Sequence, residues 1–189
     1  MPHLLLKNLP RYECLLEASK EFPELDPSAC EAFLHLLRTG DEAFLYAEQN
    51  LTEHGISHGR FGVLMLLWGD CQNPGANSHG MTPAELADQS NVTRATMTGL
   101  VDTLERDGFV KRAADTDDRR MMRVALTRRA EKFLEQLLPG HFQRMAALMA
   151  PLSQAERRTL VKLLAKIQQQ AMSLATKATA SPTFVSPST

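Results

Sequence analysis

Four side chains capable of hydrogen bonding sit close together at Thr93, Arg94, Thr96 and Thr98, and a second group follows at Asp118, Arg119, Arg120 and Arg123. Hydroxyls and guanidiniums at these spacings suit recognition of a polyanion. Arginine can fork onto guanine or hold a phosphate, and the threonine methyl can meet the thymine methyl. Thr93 and the backbone N–H groups of a helix beginning there form an anion site of the kind that binds phosphate. In the second group, Asp118 can orient one arginine while Arg120 projects into a minor groove whose negative potential deepens as it narrows. The plainer alternatives are that Thr93 is only a helix cap and that the Asp/Arg run is a solvated turn keeping strand edges apart. Catalytic chemistry finds no support, because the chain has no glycine-rich phosphate loop, nucleophile elbow or His-Glu-x-x-His pattern. No enzyme activity, catalytic residue, cofactor or metal site is expected.

The elements around these groups define how they are presented. Thr82-Pro83-Ala84-Glu85 matches a capping box with proline in the first turn of a short helix carrying Leu86 and Ala87. After Ser90-Asn91-Val92, Thr93 is the N-cap of a second helix whose stripe is Met97, Leu100, Val101 and Leu104, ending at Asp107-Gly108. Phe109, Val110 and Lys111, then Arg123, Val124, Ala125 and Leu126, read as two strands around a polar tip. Two capped helices joined by a tight turn and followed by a charged hairpin read as a winged helix-turn-helix.

Upstream, residues 12–22 lie between prolines and predict a brief helix. A long helix follows from the Asp26-Pro27 start to about residue 52, with Phe33, Leu36, Leu37, Phe44 and Leu45 as its apolar side. His54-Gly55 stops it, and Ser57 caps a deeply buried helix carrying Phe61, Leu64, Met65, Leu67 and Trp68. Residues 73–80 are a loop by composition. Downstream, Thr127 caps a helix that Pro139-Gly140 should bend or interrupt before residues 142–149. Ser153-Gln154-Ala155-Glu156 opens a last helix bearing Leu160, Leu163, Leu164 and Ile167. The Ser/Thr/Ala/Pro-rich tail has little to bury and is expected to be disordered.

The expected fold is therefore mainly α with a small β-hairpin, a winged helix-turn-helix with flanking N- and C-terminal dimerisation helices. The domains are an N-terminal extension (1–25), a helical dimerisation region (26–55 and 128–175), a DNA-binding lobe (56–127) and a tail (176–189). Charge agrees: between residues 91 and 129 nine basic side chains face six acidic ones, a local +3 in a chain of net charge −1. The 189 residues hold no long apolar span and no leader pattern, so a cytoplasmic location without membrane contact is expected. Three scattered cysteines, Cys14, Cys30 and Cys71, fit reduced thiols better than a disulfide framework or metal site.

Residues 81–127 resemble the MarR family of bacterial transcriptional regulators. The family's wing typically reads Asp-x-Arg before a strand ending in Leu-Thr, a spacing reproduced by Asp118, Arg120, Leu126 and Thr127. Gly108-Phe109-Val110 resembles its entry into the wing, and Gly55-Ile56-Ser57 and Leu152-Ser153-Gln154-Ala155-Glu156 extend the resemblance to residues 28–170. It implies a homodimer with two lobes on pseudo-palindromic double-stranded DNA, acting as a repressor. Apolar flanking helices with no place in a small lobe independently call for a two-fold partner.

Family members commonly respond to a small aromatic acid or to oxidation of a cysteine. His54, His58, Arg60 and Trp68 lie on or beside one helix, where cations and an aromatic surface can hold such a ligand, the alternative being a core tryptophan with solvated neighbours. Urate-responsive relatives carry a tryptophan in the N-terminal extension and an aspartate where this chain has Gly62, so urate sensing is not expected. A redox regulator using Cys14 or Cys30 is an alternative, weakened at Cys30 because Glu31 opposes thiolate formation. A metal held by His54 and His58 is disfavoured by the intervening Gly55. A winged-helix protein-interaction module without DNA binding is the remaining alternative.

Overall fold

The computed structural model describes residues 4, 6, 8–72, 80–90, 92–115 and 121–179. The chain divides into two compact units, residues 1–145 and 146–189. Within the first unit come α1 (Tyr12–Glu21), α2 (Pro27–Glu53), α3 (His58–Gln72), α4 (Pro83–Gln89), α5 (Arg94–Arg106), β1 (Val110–Ala114) and β2 (Met122–Leu126). Helix α6 (Arg128–Met149) crosses the division, and α7 (Gln154–Thr179) belongs to the second unit.

Local chemistry sets most boundaries. Asp26 accepts hydrogen bonds from the Ser28 and Ala29 amides at 2.9 and 3.0 Å, with Pro27 in the first turn of α2. The Ser28 hydroxyl, followed by the Ala29 amide, holds the Asp26 carboxyl below its ordinary pKa. At the other end Gly55 takes φ +69°, the left-handed conformation that stops a helix at little cost when no Cβ is present. The capping box at α4 forms as expected: Thr82 Oγ1 accepts from the Glu85 amide at 3.1 Å, and Glu85 Oε2 accepts from the Thr82 amide at 2.7 Å. Ser153 and Glu156 repeat it at α7. Helix α7 runs to Thr179, beyond the expected start of the tail, and the rest of that tail lies outside the described residues, as do residues 73–79 of the expected loop.

Of the two outcomes expected at Pro139, a bend or an interruption, the interruption does not occur, because α6 continues through it as one helix. Proline removes the N–H that would bond the carbonyl of Glu135, but both residues are exposed, so that carbonyl can be hydrated instead of left unpaired in the core.

One hydrophobic core joins α3, α4, α5, the hairpin and the first half of α6. Leu64, Leu67, Leu86, Met97, Val101, Leu104, Val124, Leu134 and Leu137 are essentially inaccessible, each such side chain contributing about 1.5–3 kcal/mol by leaving water. Helix α3 is apolar on several sides because neighbours enclose it, and Trp68 packs against this core. Strands β1 and β2 pair antiparallel with Val110 opposite Leu126 and Arg112 opposite Val124. A lone hairpin is marginal in water. Here Val110, Val124 and Leu126 bury one face, and Met81 extends the sheet by exchanging two backbone hydrogen bonds with Val124, at 3.0 and 2.7 Å.

His141 on α6 lies against Phe61 with ring centroids 4.9 Å apart, and its Nδ1 is buried without a hydrogen-bond partner among the described residues. Burial, and secondarily the charge of His58, lowers its pKa below the ordinary 6.5. The folded state then binds fewer protons than the unfolded one. Its contribution is complete above about 6.5 and is lost as pH falls through the depressed value. Thermal unfolding followed by circular dichroism should show the melting temperature falling with acidification across this window, and His141→Phe should flatten that dependence. An unchanged profile in the variant would assign the acid sensitivity to other groups.

Candidate nucleic-acid interface

The Thr93 side chain ends the turn after α4 and caps α5 by accepting from the Thr96 amide at 3.1 Å. Its hydroxyl also pairs with that of Thr96 at 2.9 Å, so the two hydroxyls expected to face a ligand separately form one polar unit. The cap accounts for one of the donors that every helix start leaves without an intrahelical partner. Arg94 and Thr98 are exposed one turn apart, and the Thr98 hydroxyl donates to the Arg94 carbonyl at 2.9 Å, keeping its oxygen able to accept. The apolar side of α5 is buried through Met97, Val101 and Leu104, while Thr96 and Thr98 lie off that stripe and Arg94, one turn before Met97 at the helix start, is exposed.

Beside this helix runs an open groove of about 440 Å³ lined by Thr82, Pro83, Ala84, Arg94, Thr98, Met121 and Met122. The start of α4 forms one wall, α5 the floor, and the root of the wing the other wall. Asp118, Arg119 and Arg120 lie outside the described residues.

Two guanidiniums brace the hairpin from opposite faces. Arg112, opposite Val124 on the inward face, reaches α5, meeting Asp102 at 2.5 Å and Glu105 at 2.6 Å. Arg123, one residue out of phase, points the other way. Its Nε donates to Asp115, its Nη1 donates to the Gly80 carbonyl at 2.8 Å, and Glu85 stands 3.6 Å away. The Asp115 hydrogen bond is the main cause of an upward shift in the Arg123 pKa. Arg123, expected from sequence to contact DNA, is therefore engaged within the protein. Neither Asp115 and Glu85 nor Asp102 and Glu105 stood out in the sequence as its partners or those of Arg112. The available signal was strand parity, since Val124 and Leu126 inward places Arg123 outward.

The four ligand residues expected from sequence do not converge. His54 sits at the end of α2 with Nδ1 2.8 Å from the Asn50 carbonyl, whereas His58 begins α3 and packs edge-on to Phe44 at 4.9 Å between ring centroids. The left-handed turn at Gly55 puts the two imidazoles on different helices. Arg60 is paired with Asp107 at the end of α5, and Trp68 belongs to the core periphery. His58 lines a cavity of about 230 Å³ between α3 and α5, with Gly59, Gly62, Val63, Leu66, Ser90, Val92, Met97 and Leu100. Cys14 and Cys71 are exposed and Cys30 is half-buried, all as free thiols. Burial, then Asp70 and Glu131, pushes the Cys71 thiol up, away from thiolate reactivity.

A capped helix pair whose second helix lies open beside the root of a β-hairpin defines a winged helix-turn-helix protein. The MarR family profile matches residues 56–122. A Bacillus subtilis protein named HTH-type transcriptional repressor YetL is 40% identical over 159 residues, covering 84% of this chain and 92% of YetL. The chain belongs to the MarR family. Among solved structures, a Staphylococcus aureus MepR–DNA complex matches with a TM-score of 0.61 at 23% identity, over 74% of this chain and 96% of that one. Bordetella bronchiseptica BpsR, solved in work on regulation of its DNA binding by 6-hydroxynicotinic acid, matches with a TM-score of 0.59 at 24% identity over 71% and 91%. At these identities the two structures support the shared fold.

Proposed function

We propose that this chain is a sequence-specific DNA-binding transcriptional repressor acting as a homodimer. The observation that carries the reading is the exposed start of α5, where Arg94 and Thr98 line a groove beside the wing root. In this reading α5 enters the major groove of pseudo-palindromic DNA, Thr93, Arg94, Thr96 and Thr98 meet bases and phosphates, and Arg119 and Arg120, steadied by Asp118, serve the adjacent minor groove. Phe33, 58% exposed, together with Phe44, Leu45, Phe142 and Met145 in the first unit and Val161, Leu164 and Ile167 in the second, supplies apolar surface for a second copy.

The test is fluorescence anisotropy with duplexes from the region upstream of its own gene, in a salt series, with light scattering to weigh the protein. Saturable binding by a dimer should weaken steeply with salt, the logarithm of affinity falling by about 0.9 per neutralised phosphate. Indifference to both sequence and salt would sink the proposal.

A ligand-responsive mode is supported by the cavity between α3 and α5, whose wall includes Met97 and Leu100 of the DNA-facing helix. Its apolar lining and single histidine suit one small aromatic molecule with a polar or anionic group. Occupation there would press directly on α5.

A further inference from the structure

Arg123 is a cation at the base of the wing, expected from sequence to contact DNA. Its surroundings give it another task. Asp115, only 7% exposed, immediately precedes the wing segment, and its amide donates to the Met121 carbonyl at 2.9 Å, closing the hairpin root. A buried carboxylate is costly without matched donors, and Arg123 supplies one of them through Nε. The same guanidinium reaches the Gly80 carbonyl at 2.8 Å and comes within 3.6 Å of Glu85. Its side chain is 21% exposed, and turning it toward a ligand would strip Asp115 of this guanidinium.

These contacts join two separate walls. Gly80 and Glu85 flank Thr82, Pro83 and Ala84, the α4 wall of the groove, while Arg123 follows Met121 and Met122, the wing wall. If α5 lies in a major groove and the wing in the neighbouring minor groove, the sugar–phosphate strand dividing those grooves must pass between them. The groove offers that strand a cation at Arg94, a hydroxyl at Thr98 and apolar thioethers against deoxyribose at Met121 and Met122.

We infer that Arg123 is a positioning residue that sets the width of this groove, through Asp115, Gly80 and Glu85, so that one DNA strand seats between α5 and the wing root. It makes no DNA contact of its own. The inference rests on the DNA-binding reading above and adds a claim about sign. Asp115 and Glu85 are acids beside a polyanion, so neutralising either should tighten binding if only charge mattered, whereas loss of positioning weakens it.

The experiment compares wild type with Arg123→Met, Asp115→Asn and Glu85→Gln on the same upstream duplex, with melting curves as the folding control. Glutamine can retain the capping geometry of Glu85, which keeps one variant available should Asp115→Asn fold poorly. Affinity is expected to drop roughly tenfold for Arg123→Met and Asp115→Asn and less for Glu85→Gln, with the salt slope unchanged. Hydroxyl-radical footprints should lose protection on the strand between the contacted grooves while major-groove protection persists, a pattern that a lower folded fraction does not produce. A salt slope reduced by about one in Arg123→Met, or tighter binding by the acid-neutralised variants, overturns the inference in favour of a direct contact. Wild-type affinity and footprints in all variants overturn it as well. A wild-type protein that binds no DNA overturns the underlying functional reading instead.

Discussion

Arg94→Ala should weaken binding to the upstream DNA by roughly ten- to a hundredfold, about 1–3 kcal/mol for one specific arginine contact, while leaving the melting temperature and the solution mass unchanged. Arg94 is exposed in the first turn of α5, and alanine there keeps the helix and the Thr93 cap. The contact type can be read from the same anisotropy data. A base contact relaxes preference at one base pair and leaves the salt slope intact, whereas a phosphate contact weakens all sequences alike and lowers the slope by about one. Binding indistinguishable from wild type would remove α5 as the recognition element.

Gly80→Ala should have the larger effect on the lobe itself. Gly80 takes φ +82°, and a Cβ there would stand 2.2 Å from the Val124 carbonyl oxygen and 2.9 Å from its carbon. Both obstacles are backbone, so the segment must move, weakening the Met81–Val124 pair and the Arg123–Gly80 hydrogen bond together. The left-handed conformation alone costs alanine about 1–2 kcal/mol, and each lost hydrogen bond adds about 1 kcal/mol. A decrease in melting temperature of roughly 5–15 °C is expected for a chain of this size. Gly69→Ala, within α3 and with no heavy atom within 4 Å of its new Cβ, is the control and should be neutral or mildly stabilising. A Gly80→Ala protein as stable as this control would mean that the segment before α4 relaxes without consequence.

The capped starts were legible in the sequence because capping is written within four residues. Asp26-Pro27, Thr82 with Glu85, Thr93, and Ser153 with Glu156 all form the starts read from them. The hairpin was legible from its alternation, although β1 extends to Ala114, beyond the three residues first assigned. What stayed hidden depends on distance through space. Arg112 and Arg123 are equivalent in type, and only the strand register sends one to Asp102 and Glu105 and the other to Asp115 and Gly80. His54 and His58 are neighbours in sequence yet separated by the turn at Gly55, while Arg60 finds Asp107 far along the chain. Pro139 does not end α6, because the carbonyl it leaves without a partner is on an exposed residue, where exposure removes most of that cost.

Thr127 ties the lobe to the helix that leaves it. Its amide donates to the Phe109 carbonyl at 3.0 Å, its hydroxyl donates to the Gly108 carbonyl at 2.7 Å, and the same oxygen accepts from the Ala130 amide at 3.3 Å in the first turn of α6. One side chain thus fastens the exit of α5, the close of the hairpin and the start of α6 at a common pivot. The end of α5 and the first turn of α6 thereby share one hydrogen-bonded residue, with no free linker between them.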